Sequence, residues 1–199
     1  ENFIFLSGFR YDQSLIKLDE NQNKKSNFKE DYFSLSPVFG INYKPNQMLN
    51  IFGNFSTHFD TPTLSEISNN LIKDSTSLTN TKLVPQISKS FEFGIKFENQ
   101  NLDIYEIVLF KSELNNGIIP YEIENEPGRS YYRNAGVTHK IGAEMSISKT
   151  LSNNLSINFI NSLSNFKFIS YEIGDSNFDG NLLPLVAKHF GFFDISWDH

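Results

Sequence analysis

One short stretch has the spacing of ion ligands: Asp175, Asn177, Asp179 and Gly180 read Asp-x-Asn-x-Asp-Gly, the opening of a calcium loop. Such a loop needs a bidentate carboxylate at its twelfth position, and here that position is Val186. A polar turn is the better reading. His58, His139, His189 and His199 are scattered, without the paired spacing of a metal site. The absence of Cys removes disulfide frameworks, thiol catalysis and Cys-ligated zinc. No Gly-x-Ser-x-Gly elbow, phosphate loop or dinucleotide fingerprint occurs, so neither enzyme chemistry nor a cofactor is expected. Glu92 with Lys96, and Lys140 with Glu144, read as neutralised wall charges rather than acid–base machinery. Recognition chemistry is better represented. The stretch 115–133 gathers Tyr121, Arg129, Tyr131, Tyr132 and Arg133, groups that bind by ring stacking and charge-assisted hydrogen bonds. Packing of the loop on itself is the rival reading.

The elements that would position these residues are strands. In Ser90–Phe97 every odd position is apolar and every even one is polar or Gly, and a period of two sorts side chains onto opposite faces of a pleated strand. The same alternation gives eight strands, near 3–17, 32–44, 49–59, 87–98, 102–113, 132–149, 155–169 and 185–198. The fifth is apolar on both faces apart from Asp103 and Glu106. The seventh changes phase between Phe159 and Phe166, which predicts a bulge or an early end. Gly40, Gly53, Gly94 and Gly142 inside strands suit close approach or bending in a curved sheet.

The connections alternate in length. Lys44–Gln47, Glu98–Asn101 and Ser152–Asn154 are short and Asn-rich. Between them lie long segments near 18–31, 60–86, 114–131 and 170–184. The chain uses 20 Phe, 8 Tyr and 1 Trp, yet its longest apolar runs fall far short of the ~20 residues of a helical membrane span. A strand can cross lipid if its sheet closes, because its neighbours then satisfy its backbone. Only alternate residues need to be apolar. The reading is therefore all-β: an antiparallel up-and-down transmembrane β-barrel with short periplasmic turns and long extracellular loops. A soluble sandwich is the alternative. In the barrel reading the odd-numbered Phe and Ile rows meet hydrocarbon, and Tyr43, Phe59 and Trp197 fit interfacial girdles. A net charge of −6 argues against nucleic acid, and the Lys24–Lys25 pair is balanced by Asp19, Glu20, Glu30 and Asp31. Thr63-x-x-Glu66 is a capping box with Leu64, Ile67 and Leu71 at helical spacing, predicting a short helix inside the second long loop.

Five segments, in order, carry a likeness: His58–Glu66, Leu83–Gly94, Pro127–Gly136, Gly142–Glu144 and Gly180–Pro184. Together they resemble the barrel domain of TonB-dependent outer-membrane receptors, closest to the branch that includes ferric-siderophore and ferric-citrate receptors. The likeness covers nearly all of 1–199. Family barrels hold about 22 strands around a plugged lumen, so eight imply an internal, partial barrel lacking the plug domain and the terminal strands. Pro85-Gln86-Ile87-Ser88 departs from the usual Pro-Glu form, and the chain ends at Trp197-Asp198-His199 rather than at a terminal aromatic.

The resemblance implies active import of a scarce nutrient, an iron chelate of the ferric-siderophore kind, across the bacterial outer membrane. The implied partners are the lipid bilayer, the TonB energy-transducing complex acting through the plug, and the small-molecule ligand. Arg129, Tyr131, Tyr132 and Arg133 are the candidate ligand-binding residues on an outer loop, with no catalytic or metal residue. A self-closed eight-stranded structural or adhesion barrel is the second reading, and an outer-membrane hydrolase with a rim Ser or His is the third.

Overall fold

The computed structural model describes residues 2–19, 27–68, 83–123, 126–134, 136–173 and 176–197. Among them, β1 (Phe3–Leu18), β2 (Phe28–Tyr43) and β3 (Leu49–Asp60) come first, then helix α1 (Leu64–Ser68), β4 (Gln86–Glu98) and β5 (Ile104–Asn115). There follow β6 (Ile118–Ile123), β7 (Glu126–Asn134), β8 (Val137–Ser152), β9 (Leu155–Ser170), β10 (Glu172–Ile173), β11 (Ser176–Asn177) and β12 (His189–Trp197). Eight strands form one sheet in the order β1-β2-β3-β4-β5-β8-β9-β12, every ladder antiparallel. The hairpin β6–β7 and the two-residue pair β10–β11 stand outside it.

The eight expected strands are the eight of this sheet, with boundary corrections. The sixth begins at Val137 rather than at 132, because residues up to Asn134 belong to the unforeseen hairpin strand β7. The last begins at His189 rather than at 185. The seventh carries neither a bulge nor an early end at its phase change: β9 runs unbroken from Leu155 to Ser170. Its ladder to β8 slips only at Val137/Thr138 and Thr150/Ser152. What changes is the face that bears the aromatic ring. Phe159 lies on the odd face, and Phe166 lies on the even one, edge-on to Phe110 at 6.3 Å.

Register decides the architecture. Along the sheet odd residues meet odd residues, as in Phe39↔Phe55, Phe55↔Phe91, Phe93↔Leu109, Ile107↔Met145, Ile147↔Phe159 and Phe159↔Phe193. The apolar rows of the sequence thus merge into one continuous face. That face is open: Phe9 is 78% and Phe33 75% exposed. In a two-layer sandwich these rings would be covered by a second sheet, and none covers them here. The opposite face carries Asn54, Ser56, Glu92, Glu106, Ser112, Lys140 and Glu144. This is the wall of an outer-membrane barrel, apolar toward lipid and polar toward the lumen. β1 and β12 do not pair with each other, so the expected alternative, a self-closed eight-stranded barrel, is not formed.

The short turns are held by Asn side chains. Asn46 Oδ1 accepts from the backbone N–H groups of Met48 and Leu49, each at 2.9 Å. Asn99 Oδ1 accepts from Asn101 and Asp103. The buried Asp103 carboxylate in turn accepts from Asn99 Nδ2 and from the Thr150 N–H, both at 2.9 Å, tying this turn to β8.

At the other ends of the strands the loops make a small core of their own. Among the described residues the buried large apolar side chains are Phe28, Phe59, Ile67, Leu83, Tyr131 and Tyr171, all in or beside long connections. The predicted capping box is present. The Thr63 N–H donates to Glu66 Oε2 at 2.7 Å, and the Glu66 N–H reaches Thr63 Oγ1 at 3.4 Å. Ile67 is fully buried while Leu64 stays exposed. Leu71 lies outside the described residues, as do Lys24, Lys25, Asp175, Asp198 and His199.

Candidate functional site

The long connections converge on one platform above the sheet. Its frame is main-chain hydrogen bonding borrowed by a side chain. Asn134, at the end of β7, donates from Nδ2 to the carbonyls of Val84 (2.8 Å) and Asn116 (2.6 Å), and its Oδ1 accepts from the Val84 N–H at 2.9 Å. An amide that mimics a peptide in this way satisfies backbone groups in segments far apart in sequence. It joins two of the five segments that carry the family likeness. A third, at Gly180-Asn181, lies along β9, where Phe168 donates to Asn181 O and Gly180 donates to Phe168 O.

The candidate residues occupy this platform unequally. Tyr131 is 1% exposed, so its ring is part of the loop core. Arg133 lies over the Tyr121 ring at 4.5 Å and beside the Tyr171 ring at 5.6 Å, and its Nη2 donates to the Tyr171 hydroxyl at 3.1 Å. Its buried Nε has no hydrogen-bond partner among the described residues. Arg133 therefore clamps the β6–β7 hairpin to the segment that follows β9. Arg129 sits over the Tyr131 ring at 5.1 Å. Arg129 and Tyr132 are both half-buried on the hairpin. The sequence reading missed Tyr171, which stacks on Phe168 at 4.7 Å and touches Phe178 at 5.6 Å. Two guanidinium-facing rings of this kind contribute about 1–2 kcal/mol together. Arg133→Ala should accordingly raise hydrogen exchange across Ile118–Asn134 by about 5–30-fold. Arg133→Lys, lacking the planar fork, should recover only part of the protection.

The other chemistry-bearing groups are engaged locally. Asp179 Oδ1 accepts from the Tyr171 N–H at 2.7 Å, and Asn177 Oδ1 accepts from the Asp179 N–H, so the calcium-like residues hold a loop. His58 pairs with Asp60 at 3.0 Å, His139 with Glu113 at 2.9 Å, and His189 with Asn161 at 2.7 Å.

On the lumen wall, Glu92, Glu106 and Glu144 line a recess of about 420 Å³ with Phe52, Val108 and Phe110. The expected Glu92–Lys96 and Lys140–Glu144 neutralisations do not form. Residues four apart on one strand are about 13 Å apart. Lys96 pairs instead with Glu98 at 3.5 Å, and Lys140 lies 5.8 Å from the Phe166 ring centre. The wall is consequently acidic at this height. An apolar groove of about 360 Å³, lined by Phe93, Ile107, Leu109, Met145 and Ile147, opens on the opposite, lipid side. It is a seat for acyl chains and no part of the loop platform.

Comparison with known proteins adds two findings. A family model described as "TonB dependent receptor-like, beta-barrel" matches residues 1–199. The fold is also similar to several solved structures. One is the copper transporter OprC (TM-score 0.80, 13% identity), where the match covers 100% of this chain and 30% of that one. Another is the ferric citrate transporter FecA in its unliganded form (0.72, 21%), covering 99% and 28%. A third is the ferric yersiniabactin uptake receptor FyuA from Yersinia pestis (0.69, 12%), covering 98% and 28%. The chain thus spans under a third of the length of each of these proteins.

Proposed function

Because the chain belongs to the TonB-dependent receptor β-barrel family, whose place is the bacterial outer membrane, we propose that it forms internal wall strands of a receptor that imports an iron chelate of the ferric-siderophore type. Lipid offers no partner for a free strand edge, so β1 and β12 pair with further strands of a larger barrel. The observation that carries this reading is the convergence of the family-like segments on one rigid loop platform, standing on strands whose outer face suits hydrocarbon. Arg129, Tyr132 and Arg133 place two guanidinium groups and phenolic rings together there, chemistry suited to a planar, anionic chelate. Tyr131 supports them from beneath. The work of import comes from the TonB energy-transducing complex acting through a plug, and no covalent bond is made or broken.

The test is uptake of radiolabelled iron chelates by the source bacterium under iron limitation. Deleting the receptor gene should reduce uptake of one chelate to background. The intact gene should restore it, and removing the energy-transducing protein should abolish it again. Undiminished uptake of every iron chelate in the deletion strain would refute the iron reading. The same strain supplied with copper distinguishes the cargo suggested by OprC.

A further inference from the structure

The outward face changes character near its extracellular edge. Lys89, Glu113, His139 and Lys167 lie in one cross-strand row, each directly opposite the next. Lys111 occupies the adjacent row, between Phe91 and Ile141. All five are odd-numbered and so share the face of Phe93, Ile95 and Ile107. Each lies about eight to fourteen residues from the short turn of its own hairpin, roughly 25–45 Å along a tilted strand. That distance brings them to the outer rim of the hydrocarbon band.

Local partners do not neutralise this arc. Glu113 is taken by His139 at 2.9 Å. Among the described residues, Lys111, Lys167 and Lys188 make no ion pair. Beside β9, Lys167 and Lys188 line one cavity of about 560 Å³ with Asn165 and Asn181. Two ammonium groups and two amides around a space of that size can chelate an anion with several oxygens. Lys side chains at such a rim extend their stems along apolar surface and carry their charge to the headgroup layer. Directly below Lys111 the surface turns apolar at Leu109, Ile107 and Met145.

We propose that β4, β5, β8 and β9 bind a phosphorylated lipid of the outer leaflet on this outward arc. Its headgroup phosphates sit on Lys89, Lys111, Lys167 and Lys188, and its acyl chains lie on the apolar surface beneath. The inference rests on the membrane placement of the sheet and is independent of the imported cargo.

The test uses the intact receptor in neutral detergent, titrated with a diphosphorylated glycolipid or with phosphatidylcholine while the thermal midpoint is followed. The phosphorylated lipid alone should raise the midpoint, and the rise should shrink with added salt. The combined Lys111→Gln, Lys167→Gln and Lys188→Gln variant should lose at least half of the rise. Lys96→Gln, on the lumen wall, should keep it. If the combined variant does not fold, single Lys111→Gln should weaken the rise and Lys111→Arg should restore it. An undiminished rise in the Gln variants, or an equal rise with phosphatidylcholine, overturns the proposal, and chelate uptake is unaffected by either outcome.

Discussion

Replacing Phe93 with Lys in the intact receptor should lower its unfolding free energy in a bilayer by about 2–4 kcal/mol, the cost of an ammonium near the midplane of a lipid-facing strand. Phe93 is half-exposed on the odd face of β4, with Gly53 on one side and Leu109 on the other. Apolar rows extend above and below it, at Phe91 and Ile95, so a Lys there has several rows to cross before its charge reaches water. Glu92→Lys, one residue away, should cost less than half as much. Glu92 looks into the lumen across Asn54 and Phe110 and shares its recess with Glu106 and Glu144. A cation there relieves like-charge repulsion. Urea-driven unfolding from vesicles, measured for both variants, checks the pair. Equal losses would mean that the two faces had been assigned to the wrong solvents.

The same parity explains what could be read from the sequence. Alternation in Ser90–Phe97 identifies a strand and its faces because each residue's direction follows from its own position along the pleat. Connection lengths then give the order of the sheet, since neighbours in an up-and-down barrel are neighbours in sequence. The misses have a different origin. The hairpin β6–β7 lies in a stretch whose alternation is broken by Pro120, Pro127 and Gly128, and its stability comes from Arg133 and Asn134, which act on partners 38 and 50 residues away. Tyr171 was invisible for that reason: nothing local marks an isolated Tyr as the second wall of an Arg clamp. The Glu92–Lys96 pairing failed because it treated sequence proximity as spatial proximity, which holds on a helix but not along a strand. Similarly, the phase change in β9 was taken for an interruption of backbone when it was an exchange of faces by one aromatic ring. The capping box, by contrast, is a wholly local device, and it was legible in full.

Two lumen-facing glycines give the second large effect, in an order opposite to their nearest distances. A Cβ at Gly94 would lie 2.2 Å from Phe52 Cζ, and all three of its closest neighbours are atoms of that ring. A Cβ at Gly142 would lie 2.4 Å from Phe110 Cζ but also 2.6 Å from the main-chain oxygen of Leu163. Both rings cover a glycine directly across the ladder, an arrangement that shields bare backbone and lets a curved sheet keep its register. A ring can swing about its χ angles into the open lumen. A carbonyl engaged in the β8–β9 ladder can move only if the strand moves. Gly142→Ala should therefore cost about 1–3 kcal/mol, with the larger Gly142→Val at or above the top of that range, and Gly94→Ala about 1 kcal/mol or less. Gly8, whose Cβ would meet nothing closer than 3.8 Å, supplies the control and should tolerate Ala. Folding yield and urea midpoint of the intact receptor in vesicles would rank the three. A Gly94 penalty exceeding that of Gly142 would mean that the rings, rather than the β8–β9 backbone, are the rigid part of this wall.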